Sequence, residues 1–216
     1  MRYLGIDLAW SSNNITSLAL IEENQLLEVV DLQSTQEIVE YIKEKKPDKI
    51  GIDAPLLIEN EQGNRQIEKN FLKDFSKYKL GAYPVNRTLF KRLYKEIRGE
   101  EIANSIEYTL RENLFEVYPH ATIIQLFTKD HVLPYKRKKG RDVQYIKEQL
   151  QRYAEYLSLY ICNIPDMNIP HAKGKQLKTT EDRLDAICCA LTLWYGFKHG
   201  HHSYDNLLIV PQKLHI

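Results

Sequence analysis

The sequence predicts a mixed α/β domain: an antiparallel meander of three strands, continued by parallel strands, flanked by helices and interrupted by a helical insertion. Three observations predict it. The first three apolar segments are joined by short polar turns, which suits antiparallel neighbours. A helical pattern then leads directly into a fourth short apolar run, as in a crossover to a strand parallel with the first. The C-terminal half carries two long helical patterns, one amphipathic and one apolar nearly all round.

In chain order, residues 2–9 read as a buried strand, and Ser11-Ser12-Asn13-Asn14 as a turn cluster. Ile15 to Glu22 is a second strand, Glu23-Asn24-Gln25 a tight turn, and Leu26 to Leu32 a third strand. Ser34 or Thr35 caps a helix with Glu37 in its first turn, and Ile38, Val39 and Ile42, with Tyr41 at the edge, give it one apolar face. Pro47-Asp48 stops this helix. Lys49 to Asp53 is a fourth strand, closed by Pro55, which has no N–H to donate.

Residues 56–112 read as a helical excursion, a lid over the sheet: a polar loop at Glu59–Asn64, a helix over Gln66–Tyr78, an irregular Gly81–Asn86, helical spacing over Arg87–Arg98, and after Gly99 a short helix to about Leu110. Leu114 to Pro119 is a fifth strand. Pro134 to Arg141 is a basic loop, Asp142 to Ile161 an amphipathic helix, and Ile164 to His171 a loop. A last helix is expected from near Thr180 to about Lys198, followed by a short strand at Leu207–Val210 that Pro211 closes. With no repeat and no linker, residues 1–216 read as a single domain.

Composition excludes several classes. A net charge of +1 means that any polyanion must be steered by a local basic patch. The three cysteines form no disulfide framework and no zinc spacing, which suits a reducing cytoplasm. Cys188 and Cys189 look like small core residues. The N-terminus lacks the sections of a signal peptide, and the longest nearly apolar stretch, Ala186–Phe197, is far short of the ~20 residues of a membrane helix.

The chemistry lies in acids where acids are costly. Asp7 sits inside the apolar run Met1–Trp10, and Asp53 near the end of Lys49–Leu56. Parallel neighbouring strands would aim both carboxylates at one site. Asp182 and Asp185, three apart at the entry of a buried helix, share a face. Each has a plainer explanation: an Asx turn for Asp53, a backbone or arginine partner for Asp7, and complementing the helix dipole for the last two. Together they match what Mg²⁺ or Mn²⁺ needs, several hard oxygen ligands held close.

Gly5-Ile6-Asp7, Gly51-Ile52-Asp53-Ala54-Pro55-Leu56, Glu116-Val117-Tyr118-Pro119-His120 and Asp182-Arg183-Leu184-Asp185-Ala186 resemble a family of predicted nucleases with a ribonuclease H-like fold. It is catalogued as domain of unknown function four-two-nine. The arrangement of acids is also similar to the RuvC branch of that superfamily. The resemblance implies a two-metal nuclease acting on DNA or RNA. Asp7, Asp53, Asp182 and Asp185 would hold the ions, roughly 4 Å apart, on either side of the scissile phosphate. It also implies that Glu116 and His120 border the cleft.

Arg65 is a candidate phosphate contact, with an ion pair as the plainer reading. Lys136, Arg137 and the rest of the basic loop are candidates for the nucleic-acid backbone, with Tyr135 to stack on a base or sugar; the plainer reading is a solvated loop. His199, His201 and His202 read as an exposed polar tail. A different class of function keeps the fold without catalysis, the acids holding one structural ion or a small phosphorylated ligand. A sugar-kinase-like ATPase is disfavoured because Leu8-Ala9-Trp10 lacks the glycine that lets amides wrap phosphate.

Overall fold

The computed structural model describes residues 1–94 and 96–213. Strands β1 (Arg2–Asp7), β2 (Thr16–Glu22) and β3 (Gln25–Leu32) form the expected antiparallel meander. Helix α1 (Thr35–Lys45) opens on a reciprocal capping box between Ser34 and Glu37 and crosses to β4 (Lys49–Ile52), which pairs parallel with β1. Strand β5 (Leu114–Val117) pairs parallel with β4, and β7 (Leu208–Pro211) pairs parallel with β5. Strand β6 (His201–Tyr204) adds an antiparallel edge. The described residues thus form one seven-stranded mixed sheet in the order β3-β2-β1-β4-β5-β7-β6. An antiparallel meander continued by parallel strands is the ribonuclease H-like layout that the resemblance implied.

Each face of the sheet has its own core, and strand alternation decides which residues go where. Leu4, Ile6, Ile50, Ile52 and Leu114 pack with Ile38 and Ile42 of α1. Tyr3, Phe115 and Val117 pack on the other face, with α6 (Val143–Ser158) and α7 (Lys175–His199). Gly5 and Gly51, paired in register, carry no side chain into that second face. A Cβ on Gly5 would stand 2.2 Å from both the Ala186 carbonyl oxygen and the Ala190 nitrogen, so α7 lies directly on the β1 backbone there.

The insertion holds α2 (Gln66–Phe75) with a 3₁₀ turn at Ser76–Tyr78, α3 (Arg87–Leu93) and α4 (Arg98–Ser105). The helical pattern expected over 87–98 breaks at Tyr94, which is extended; position 95 lies outside the described residues. The helix expected to reach Leu110 stops at Ser105. Three features differ further from the sequence reading. The strand expected to reach Pro119 stops at Val117, and Pro119 begins α5 (Pro119–Ile123), which continues as a π-helical turn over Ile124–Thr128; proline at a first helical position loses no bond. The last helix begins at Lys175, more than a turn before Thr180. His201 and His202 belong to β6 and not to a tail, because Asp205 and Asn206, with φ of 51° and 56°, close a hairpin onto β7. Among the described residues, no helix is long and apolar enough to cross a membrane.

Candidate metal centre

Alternation along β1 puts Asp7 on the same face as Tyr3 and Gly5, the face that α7 covers. The Asp53 N–H donates to the Ile6 carbonyl at 2.9 Å, extending the parallel ladder one step past Ile52. Asp7 and Asp53 therefore leave neighbouring strand ends side by side. Asp185 comes from α7, one residue before the backbone that rests on Gly5, and is fully buried. Asp182 lies one turn earlier and lines the same cleft as Asp7 and Asp53. Because α7 starts at Lys175, neither acid is in its first turn, and complementing the helix dipole does not account for them.

Each carboxylate has a distinct setting. Asp185 Oδ1 accepts from Tyr135 Oη at 2.6 Å and from Tyr153 Oη at 3.1 Å, both tyrosines being fully buried. Its Oδ2 is buried, lies 3.0 Å from Lys136 Nζ, and accepts no well-aligned hydrogen bond. Asp182 is ion-paired with Lys178, which also meets Glu181 at 2.9 Å.

The four acids sense one another. Burial first, then Asp185, Asp53 and Asp182, hold the Asp7 carboxyl well above the usual carboxylate range against the pull of Lys136. Burial pushes Asp53 up to about 7; Lys136 opposes the shift, while Asp185 and Glu116 add to it. For Lys136, burial alone would lower the ammonium, but Asp185, Asp7 and Asp53 together raise it well above its ordinary value. One lysine thus serves as counter-ion to three aspartates from three separate segments.

Glu116, His120 and Arg65 line the same cleft as Asp7, Asp53 and Asp182. Glu116 pairs laterally with Ile52, not with Asp53, so it shares the parity of the opposite face. There it is buried, accepts from the Leu56 N–H at 2.8 Å, and takes both Arg65 Nη1 and Nη2 at 2.7 Å. Arg65 also donates to Glu68 and to the Leu57 carbonyl. Its donors are therefore spent inside the protein: it clamps the start of the insertion, and the expectation of an Arg65 phosphate contact gives way to the ion pair. Burial first, then Lys136, pushes the His120 imidazole down to about 4; its ring lies 5.1 Å from Tyr135 and its Nδ1 is buried without a partner.

Tyr135, expected to stack on a base, is instead sealed in the core as the orienter of Asp185. Lys136 points inward and is not merely a solvated loop residue, whereas Arg137 to Gly140 are exposed. His199 and His201 are tied into local packing, His199 against Tyr195 at 4.6 Å and His201 Nδ1 at 3.1 Å from the Gly196 carbonyl. Tyr153 and Lys178 were not singled out from the sequence. Tyr153 lies in the apolar stripe of α6 and gave no signal, but Lys178 four residues before Asp182 is a readable helical pair.

The donor set suits a hard divalent cation, being all carboxylate and including a buried oxygen, Asp185 Oδ2, without a hydrogen bond. Among the described residues, no three carboxylate, imidazole or thiol groups stand close enough together to hold an ion as the side chains lie. Beside Asp185 Oδ2 the positive charge is the Lys136 ammonium.

No curated protein matches the chain in sequence. Among solved structures, the chain is similar to Thermus thermophilus RuvC, with 12% identity, a TM-score of 0.43, and coverage of 92% of this chain and 96% of that one. It is also similar to T. thermophilus RuvC in complex with a Holliday junction substrate, at 10% identity, a TM-score of 0.41, and coverage of 92% and 97%. The family described as protein of unknown function DUF429 matches residues 5–202, a span that takes in all four aspartates, and the chain belongs to that family.

Proposed function

We propose that the protein is a divalent-metal-dependent nuclease that hydrolyses phosphodiester bonds of nucleic acid. The observation that carries this reading is the arrival of acids from β1, the end of β4 and α7 in one cleft, with the Lys136 and Lys178 ammonium groups beside them. Asp7, Asp53, Asp182 and Asp185 would hold Mg²⁺ or Mn²⁺, with two ions as the expected number. A bound ion supplies an activated water and a positive charge against the phosphate.

The chain's own residues do the rest. Tyr135 and Tyr153 fix the Asp185 carboxylate by occupying Oδ1, which leaves Oδ2 facing the Lys136 ammonium. Lys136 neutralises the acids in the metal-free protein and, when it swings out, adds its charge to the cleft wall that carries Lys138, with Arg137 exposed in the same loop. His120 stays neutral at physiological pH, so it contributes no charge of its own to the site.

A direct test combines calorimetry with Mn²⁺ and a panel of labelled DNA and RNA, on wild type and Asp7→Asn. Wild type should bind the ion and cleave, and the variant should lose both. An Asp7→Asn protein that cleaves as fast as wild type removes the assignment. A second reading is favoured by the Lys136 ammonium lying where an ion is expected: a non-catalytic protein of the same fold whose acids serve a structural cation or a small phosphorylated ligand. Metal binding with no cleavage of any panel member would select it.

A further inference from the structure

The cleft that holds the acids is about 1380 Å³ in volume and has a second chemistry on its walls. Three residues past Asp7 comes Trp10, one of the two tryptophans, 36% exposed. Large aromatic surface left in water usually has a partner. Trp10 does not stand alone. It stacks on Phe90 with centroids 5.1 Å apart and 21° between planes, meets Tyr94 at 5.3 Å, and meets Tyr83 edge-on at 6.4 Å. Phe90 is buried and Tyr83 is 79% exposed, so the cluster runs from the core out to solvent.

The cluster is held rigid. Arg98 donates to the carbonyls of Ala9 at 2.7 Å, Ser11 at 3.3 Å and Gln33 at 2.9 Å, gripping the backbone on both sides of Trp10. The Tyr83 segment is tied by Tyr118 Oη to the Gly81 carbonyl at 3.0 Å and by Asn60 Nδ2 to the Val85 carbonyl at 2.9 Å. Aromatic rings kept in place before a ligand arrives bind it at a smaller entropic cost. The same cleft carries the exposed cations Lys138 and Lys175.

We propose that Trp10, Tyr83 and Tyr94 form a base-stacking platform, and that the substrate is therefore nucleic acid with unpaired bases. This rests on the nuclease reading and narrows it. Rings backed by the core recognise a flat π-face, and only an unpaired base has a face to give; in a duplex the faces are covered. Neighbouring cations take the backbone of the same strand. Three residues of chain separate Trp10 from Asp7, at most ~11 Å, so a base on the platform lies within about three stacked nucleotides of the acids. DNA and RNA share this chemistry.

The test is fluorescence anisotropy in EDTA with labelled unstructured DNA and RNA oligonucleotides of about 16 nucleotides, and with their duplexes. The wild type should prefer single strands, and binding should quench tryptophan emission. Trp10→Leu with Tyr83→Ala should weaken single-strand binding about ten- to hundredfold and leave duplex binding unchanged, while Trp10→Phe, which keeps a ring, should retain most of the affinity. Thermal melting of each variant verifies folding. Equal or better duplex binding by wild type overturns the proposal, as does single-strand affinity that a folded double variant preserves. If Mn²⁺-dependent cleavage persists in either case, the nuclease reading stands and the platform alone falls. If no nucleic acid is bound or cleaved, both fall.

Discussion

Replacing Lys136 by methionine keeps an unbranched side chain one atom shorter and removes the charge that balances Asp185, Asp7 and Asp53. Asp185 is fully buried and the Lys136 side chain is one-third exposed, at 33%. Breaking a fully buried pair costs about 3–5 kcal/mol, and solvent screening at the lysine brings the expected loss to about 2–3 kcal/mol. For a domain of this size that is roughly 5–10 °C in Tm. The loss has a direction in pH. Asp53 stands at about 7 in the folded protein against 3.8 as its ordinary value, and removing Lys136 raises it further. The unfolded chain releases that proton first, so folding stability falls as pH rises from about 4 through the folded value. The part of the Lys136→Met deficit that comes through Asp53 should therefore be larger near pH 8 than near pH 5. The same substitution removes the cation that a metal must displace. If wild type spends that 2–3 kcal/mol on displacement, the variant binds Mn²⁺ about 30- to 150-fold more tightly. Thermal melts in EDTA across pH, with calorimetry of Mn²⁺ binding, measure both effects. An unchanged Tm in EDTA at pH 8, together with unchanged Mn²⁺ affinity, would refute the assignment of Lys136 as the resident counter-ion.

Three other substitutions probe separate parts of the argument. Gly5→Ala places a methyl 2.2 Å from α7 backbone atoms, so the helix must shift by about 1 Å; chemical denaturation should show a loss of about 3 kcal/mol or more, with weakened Mn²⁺ binding, and wild-type stability would disprove the close approach. His120, pushed down to about 4 from 6.5, is neutral when folded and takes up its proton on unfolding, so stability is full above about pH 6.5 and falls as pH drops. His120→Gln should remove about 2 kcal/mol of the stability difference between pH 7.5 and pH 5, measured by urea titration at each pH. Glu116→Gln should destabilise by about 3 kcal/mol through its Arg65 clamp yet leave Mn²⁺ affinity within a few-fold of wild type. Loss of metal binding as complete as in Asp7→Asn would make Glu116 a ligand instead.

Much of the fold was legible because its elements carry local signatures. The meander, the crossover helix with its Ser34 cap and the amphipathic α6 each follow from turn residues, capping residues or periodicity within one short segment. What escaped lay between segments or broke a pattern. The strand His201–Tyr204 has no run of apolar residues, and its signal was in Asp205-Asn206, two residue types that tolerate the positive φ a tight hairpin needs. The extra turns at the start of α7 are polar and mostly exposed, so no apolar stripe marked them. Tyr135 and Lys136 were read by their neighbours in sequence, as part of a basic loop, when their partner is Asp185, 50 residues away.

The acids themselves show how far a parity argument reaches. Glu116 and Asp53 look alike in sequence, each a carboxylate at the end of a buried strand, yet they serve opposite faces of the sheet. The difference is one step of register. Asp53 follows Ile52 and inherits the parity of Gly51, while Glu116 pairs with Ile52 itself and so goes to the face of α1 and the insertion. The glycines decide which face α7 can approach closely. Where Gly5 and Gly51 leave the sheet bare, α7 descends to the β1 backbone, and at that depth Asp185 comes close enough to raise the Asp7 carboxyl. On the other face Glu116 meets the Arg65 guanidinium, which Glu68 of α2 shares, and the outcome there is an ion-paired cluster. In this fold a Gly-x-Asp at a strand end marks the face from which a helix can bring further acids, because the same alternation that aims the aspartate clears the space for the helix.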